Sequence, residues 1–274
     1  MTQKIFVTTP ELVEGIANGA KLALPKDDVG VAMRATRELV RRGVRDLHLV
    51  CVPIGGIQTA ILFGTGAVRI LETSAVTLGE FGGGPRFAEA LGSGKLVMRD
   101  ATCPAIHAAL QAGEKGIPFI PLRGLIGSDL MKHRGDWKVI DNPFEDDDPI
   151  AVIPAIRPDV SLFHAPLADR FGNVFVGRHR ELITIAHASR ETLVTVEAIT
   201  DENLLDDDAR AGAVLPAIYV SRIAVEKNGC WPLGLDDLYP DDEAVLARYA
   251  VLARTSDGFN QFLEEWLSDE RVPA

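Results

Sequence analysis

Residues able to bind or react gather in two stretches. The first, Gly116–Asp129, carries the apolar run Phe119–Leu122 into Arg123, Gly124, Gly127, Ser128 and Asp129. Glycines let backbone N–H groups come close to a ligand, while Ser128 and Asp129 add polar contacts. Loops at the carboxyl ends of parallel strands form the ligand crevice of open α/β sheets, which would give this stretch its use. A plain turn with Asp129 capping the next element is the alternative. The second stretch, Phe163–Asn173, also ends a strand in a polar turn. Asp169, Gly172 and Asn173 suit a hairpin-like turn, and Arg170 can pair with Asp169 or with another carboxylate. A structural role is favoured there.

Other patterns fail on spacing. Gly92-Ser93-Gly94-Lys95 lacks the upstream glycine of a phosphate loop, and Leu96 stands where a magnesium-binding hydroxyl is needed. Gly64-Thr65-Gly66 lacks the third glycine of a dinucleotide fingerprint. There is no Gly-x-Ser-x-Gly elbow and no pair of histidines at helical zinc spacing. The acidic runs Glu145–Asp148 and Asp206–Asp208 lack calcium-loop spacing. No metal site is expected. His164, ending a predicted strand, and His107, in a predicted helix, read as structural.

The elements that must position these residues alternate between short apolar runs and amphipathic stretches. Val31–Arg42 places Met33, Thr36, Leu39 and Val40 at helical spacing with Arg34, Arg37, Glu38, Arg41 and Arg42 outside, and Gly43 stops it. Leu47–Val52 is a continuous apolar run, the signature of a strand buried on both faces. Further strands are predicted at Val68–Leu71, Lys95–Met98, Phe119–Leu122, Ile150–Ile153, Val160–His164, Val174–Val176 and Leu193–Glu197, with helices ending at Leu91 and spanning Pro104–Ala112. Such alternation predicts βαβ units and an α/β fold with an open, twisted, mostly parallel sheet and flanking helices. Arg134–Asp148 is polar and reads as a surface loop or β-excursion. Two helices within 240–268 close the chain on a single 1–274 domain. Asp241 is placed to cap the first. Phe259, Phe262, Leu263 and Trp266 form a core stripe on the second.

Composition bounds the function. The 274 residues are 47% hydrophobic and 24% charged, with a net charge of −11. That mix supports a packed core and excludes a wholly disordered chain. An acidic chain repels phosphate backbones, so nucleic acid is not an expected partner. Cys51, Cys103 and Cys230 are odd in number and widely spaced, which argues against a disulfide framework or zinc site. The start, Met1–Val7, reads as no secretory leader, and no apolar run approaches a membrane span. These features lead to the expectation of a soluble, cytoplasmic protein without a membrane partner.

In order along the chain, Gly116–Asp129, Ile153–Val160, His164–Asn173, Val194–Asp201, and Val214–Pro216 leading to Trp231–Tyr239 and the final helices make the sequence similar to a known family. It resembles the A (alpha) subunit of family I coenzyme A-transferases, in the branch of the glutaconate CoA-transferase A subunits, over roughly residues 10–267. The resemblance implies the CoA-transferase fold, like that of ribose-5-phosphate isomerase. As partner it implies a homologous B (beta) subunit, in an αβ or α2β2 assembly. It implies an acyl-CoA thioester and a small carboxylic acid as substrates, with no permanently bound cofactor. A glutamate on the B subunit is the expected nucleophile; it attacks the thioester and becomes a glutamyl-CoA thioester, splitting one difficult exchange into two steps. The A subunit would supply a glycine-rich donor loop and walls of the acyl and pantetheine pocket. A catalytically silent scaffold and a subunit of a related CoA-thioester (ring-opening) hydrolase are the alternatives.

The chain departs from that pattern in two places. After the first strand, where the family carries glycines, stands Pro25-Lys26-Asp27-Asp28-Val29-Gly30. Pro25 has no N–H to donate, and two aspartates put negative charge near a would-be oxyanion. Lys26 either compensates or is solvated. Around a Glu-Gly pair found in many A-like subunits this chain has Cys103-Pro104. Cys103 at a helix start is either a nucleophile or a small packed residue. Position in the family fold makes Glu80 a second catalytic candidate. Phe81, Gly82, Gly83 and Gly84 could line an acyl pocket, and Arg86 could take a substrate carboxylate, unless this is a surface loop. Arg123, Gly124, Gly127 and Ser128 complete the expected substrate- and CoA-binding set. Arg34, Arg37, Arg41, Arg42 and Arg45 form the dense basic cluster, either a solvated face or an attraction for the CoA phosphates.

Overall fold

A computed structural model describes residues 5–268; Met1–Lys4, part of the stretch read as lacking a leader, and residues 269–274 of the expected domain lie outside them. The strands in chain order are β1 (Lys21–Pro25), β2 (Leu47–Val52), β3 (Ile54–Gly55), β4 (Val68–Thr73), β5 (Ala75–Val76), β6 (Val97–Asp100) and β7 (Phe119–Leu122). They continue as β8 (Lys138–Asp141), β9 (Pro149–Pro154), β10 (Val160–Asp169), β11 (Val174–Phe175), β12 (Glu191–Thr200), β13 (Val214–Leu215) and β14 (Arg222–Val225). The helices are α1 (Thr9–Val13), α2 (Met33–Arg42), α3 (Ile57–Gly64), α4 (Pro85–Gly92) and α5 (Cys103–Glu114), followed by α6 (Asp129–His133), α7 (Arg180–Ala188), α8 (Glu243–Leu252) and α9 (Ser256–Ser268).

The main sheet runs β6-β4-β2-β1-β10-β12-β14, all neighbours parallel. Short β11 and β13 add an antiparallel edge beside the far half of β10. The chain steps outward from β1 through β2 and β4 to β6, then returns to place β10 on the other side of β1. β1 and β10 therefore flank the point where the strand order reverses, the place where open α/β sheets form a crevice. The apolar run Leu47–Val52 fills a central strand because both of its faces are covered by helices. Separate apolar clusters pack on the sheet, and a third joins Ile57 and Ile61 of α3 to Leu246, Tyr249, Phe259, Phe262 and Trp266 of the last two helices.

Four expectations are corrected by these contacts. Phe119–Leu122 is a strand, but it is the edge of an antiparallel sheet ordered β7-β9-β8, and Phe119 is 48% exposed. Pro121 suits an edge, where a missing N–H is tolerated. Arg37 is buried rather than outside α2: its guanidinium lies 5.5 Å from the Trp266 ring and donates to the Leu267 carbonyl at 3.1 Å. Arg41, Arg42 and Arg45 likewise donate to backbone carbonyls of Leu267, of Val13 and Ile16, and of Thr65, so much of the basic cluster ties elements together. Asp242, not Asp241, caps α8 through the Val245 N–H at 3.1 Å. Arg170 stacks on Phe171 instead of pairing with Asp169, whose carboxylate is engaged by the Phe171, Asn173 and Leu204 N–H groups.

The polar stretch after α6 is the β-excursion rather than a loose loop. Its anchor is Arg134, which bonds Glu72 of β4 at 2.8 Å, Asp136 at 2.9 Å and the Asp100 carbonyl at 3.1 Å, and stacks on Trp137. Burial alone would raise the Glu72 carboxyl. The His48 imidazole and the Lys21 and Arg134 charges outweigh it and hold the carboxyl at about 2.

Candidate active-site crevice

A cavity of about 830 Å³ opens at the carboxyl ends of the strands on one side of the β1/β10 reversal. The loop after β1 brings Lys26, Asp27 and Asp28; β3 and the start of α3 bring Ile54–Ile57. The turn Gly79–Phe81 brings Glu80 and Phe81, and the C-terminal segment closes the wall with Leu233, Asp241, Glu243, Leu246 and Tyr249. The crevice is apolar with an acidic rim, and among the described residues no cysteine, histidine or arginine lines it.

Asp27 is held by the first N–H of α3: both carboxylate oxygens accept from Ile57 N, at 2.9 and 3.1 Å. Only a glycine fits at position 56, because a Cβ there would come within 1.9 Å of Asp27 Oδ1. Burial raises the Asp27 carboxyl; the Ile57 N–H opposes the rise, and Asp241 and Asp28 add to it, leaving the group at about 7. Lys26 is paired with Asp28 at 2.8 Å. Cys51, behind the crevice floor, contacts Thr59 Oγ1 at 3.3 Å, and burial pushes its thiol up to about 12, which makes it inert.

Of the residues singled out from the sequence, Glu80 and Phe81 stand on the crevice wall. Gly82, Gly83 and Gly84 follow them without lining it, and Gly84 stands immediately before α4. Arg86 is buried within α4, bonded to Ser256 Oγ at 3.2 Å and paired with Glu89. Cys103 opens α5 with its sulfur 3.2 Å from Ser74 Oγ, outside the crevice lining. Arg123, Gly124, Gly127 and Ser128 lie between β7 and α6, also outside that lining. There Arg123 forms a two-pronged pair with Asp148 at 2.5 and 2.6 Å, and Ser128 donates to the Leu125 carbonyl at 2.6 Å.

Across the strand reversal from the crevice lies a polar network centred on Glu197, a residue that sequence patterning does not single out. Glu197 of β12 sits 2.7 Å from His164 Nε2 and accepts from Tyr239 Oη at 2.6 Å and from the Asn228 and Gly229 N–H groups at 2.8 and 3.1 Å. His164 Nδ1 meets Thr195 Oγ1 at 2.8 Å, so the imidazole is satisfied on both nitrogens, as expected of a structural histidine. Burial raises the Glu197 carboxyl, but the bonds from His164 and Tyr239 prevail and hold it at about 2. The network clamps the Asn228–Tyr239 segment, which carries Leu233 to the crevice.

Comparison with known proteins places this geometry in a family. The sequence model of the family described as coenzyme A transferase matches residues 8–226. The chain is 30% identical to the A subunit of 3-oxoadipate CoA-transferase from Pseudomonas knackmussii, covering 96% of this chain and 93% of that protein. The crystal structure of glutaconate coenzyme A-transferase from Acidaminococcus fermentans superposes with a TM-score of 0.88 at 25% identity, over 96% of this chain and 89% of the other. The crystal structure of a variant of the decarboxylase AibA/AibB superposes with a TM-score of 0.86 at 30% identity, over 98% of this chain and 100% of the other. With that breadth of match in sequence and fold, the chain belongs to the coenzyme A transferase family as a homologue of its A subunits.

Proposed function

We propose that this chain is the A subunit of a heteromeric CoA-transferase that moves CoA between an acyl-CoA thioester and a small carboxylic acid. The crevice carries the proposal: it is roomy and apolar-walled, it opens at the carboxyl ends of the strands, and among the described residues no thiol or imidazole lines it. A homologous B subunit, joined in an αβ or α2β2 assembly, closes the open side and supplies the nucleophilic glutamate. That carboxylate attacks the thioester carbonyl. The C–S bond breaks to release CoA thiolate, which then attacks the resulting anhydride at the glutamyl carbonyl and expels the donor acid as carboxylate. The acceptor acid runs the same steps backwards. The thioester is the substrate, and no resident cofactor is needed. Full-length likeness to CoA-transferase A subunits supports this assignment. The test is acceptor dependence: with the B subunit present, thioester is consumed beyond one equivalent of enzyme only when a carboxylic acid is supplied.

A second reading, decarboxylation of a carboxyacyl-CoA, is favoured by Asp27. Loss of CO₂ leaves an electron pair delocalised into the thioester, and a proton must then be delivered to carbon. A carboxyl titrating near 7 on the crevice wall is suited to deliver it. Release of CO₂ without an acceptor acid distinguishes this reaction.

A further inference from the structure

β8 is an unguarded sheet edge. It pairs with β9 on one side, and Lys138, Val139, Ile140 and Asp141 are all exposed. Val139 is 50% and Ile140 40% exposed, and Phe144, just beyond the strand, is 94% exposed. Two other edges are protected: β7 carries Pro121, and Ile5 and Val7 bond to Ile223 along β14. β8 has neither a proline nor a shift in its pairing register.

The alternation of hydrogen bonds decides which groups face outward. The Asn142 N–H bonds the Asp148 carbonyl at 3.1 Å, on the β9 side. Alternate residues of an antiparallel ladder face opposite neighbours, so Ile140 also turns its N–H and C=O to β9, while Val139 and Asp141 turn theirs to the open edge. Asp141 stands opposite Pro149, which has no N–H to give, in keeping with this alternation.

We propose that the β8 edge joins two copies of this chain, paired antiparallel about a twofold axis at Ile140, so that two β7-β9-β8 sheets become one. This register uses every outward N–H: Val139 of each copy exchanges both backbone bonds with Asp141 of the other. An axis at Val139 would set Asp141 against Trp137, whose N–H is taken by the Arg134 carbonyl. An axis at Asp141 would set Val139 against Pro143, which has no N–H. The charges agree with the twofold. Lys138 donates to the Gly135 carbonyl at 3.0 Å and forms no ion pair among the described residues. In the pair it meets Asn142 of the second copy, whose amide holds Asp148 at 2.6 Å, and so faces the acidic Glu145–Asp148 turn. A parallel, in-register pairing would set Lys138 beside Lys138. Ile140 packs on Ile140 across the axis, and Phe144 is carried toward the turn at Asp136 of the second copy. The joint ties two αβ units together and holds whichever CoA chemistry the crevice performs.

The test uses the complex of this chain with its B subunit. Opposed residues of a non-hydrogen-bonded pair have Cα atoms about 4.5 Å apart, within the span of a disulfide. Ile140→Cys, oxidised with copper phenanthroline, is expected to link more than about half of the copies into a reducible dimer of this chain. Wild type and Val139→Cys, whose thiol faces Asp141 of the second copy, are expected to stay below about a tenth. Equal linking by both variants, or none by Ile140→Cys, overturns the proposal. Ile140→Lys opposes two ammonium groups at the axis. Its side chain stands at an exposed position, so the Tm should hold while light scattering shows the mass of the complex falling by half. Loss of the B subunit from that variant instead would give the edge to the B chain and overturn the pairing, as would a wild-type complex with one copy of each chain. If the Tm of Ile140→Lys falls, the disulfide result decides alone.

Discussion

Replacing Asp27 by asparagine is expected to stabilise the protein at pH 8 while altering the crevice. Asparagine keeps the shape and an oxygen that can accept from the Ile57 N–H, but removes the charge. The carboxyl stands at about 7 in the folded chain against an ordinary 3.8. Across that window the folded chain holds a proton that the unfolded chain releases, so stability falls as the pH rises and is lowest above 7. The difference sets a ceiling of about 4 kcal/mol on what the ionised carboxylate costs at pH 8, and of about 1 kcal/mol at pH 4.5. At roughly 2 °C per kcal/mol for a chain of this size, the variant should melt up to about 8 °C higher at pH 8 and nearly level with wild type at pH 4.5. Thermal melts of both proteins across that pH range decide it. An equal shift at both ends, or a lower Tm for the variant at pH 8, would refute the claim that burial and neighbouring carboxylates destabilise the Asp27 anion.

Two further substitutions test the framework. Arg134→Met leaves Glu72 buried without its guanidinium partner and should cost about 3–5 kcal/mol in urea unfolding; adding Glu72→Gln should recover at least half of that loss. Gly229→Ala would bring a Cβ within 2.2 Å of the His164 ring, a group buried on every side, and should cost about 2–3 kcal/mol by thermal melting.

Local periodicity made the parallel sheet and its helices legible. Leu47–Val52 is apolar at nearly every position because it is covered on both faces, and the Phe259–Trp266 stripe repeats at the helical period because one face meets α3. Phe119–Leu122 misleads because an apolar run carries no record of its neighbour; only the pairing with β9 makes it an antiparallel edge. The arginines of α2 are read as solvated from their position on the wheel, yet the ends of α1 and α9 arrive there and offer carbonyls. Within the site, Glu80 and Phe81 are found by their glycine-rich turn. Arg86 turns inward toward Ser256, a contact separated by 170 residues and invisible to spacing. The Asp27 seat is half legible: the aspartates stand out where family glycines belong, but the helix start that receives the carboxylate comes from a different loop.

The most direct measurement is chemical trapping of the covalent intermediate. The complex of this chain with its B subunit is incubated with acyl-CoA alone, reduced with borohydride, and mapped by mass spectrometry. A CoA-transferase holding half of its site on each chain yields one glutamate of the B subunit reduced to the alcohol, with free acid released in equal amount, and no such product when either chain is omitted. Release of free CoA without an acceptor acid, with every glutamate intact, would contradict the account.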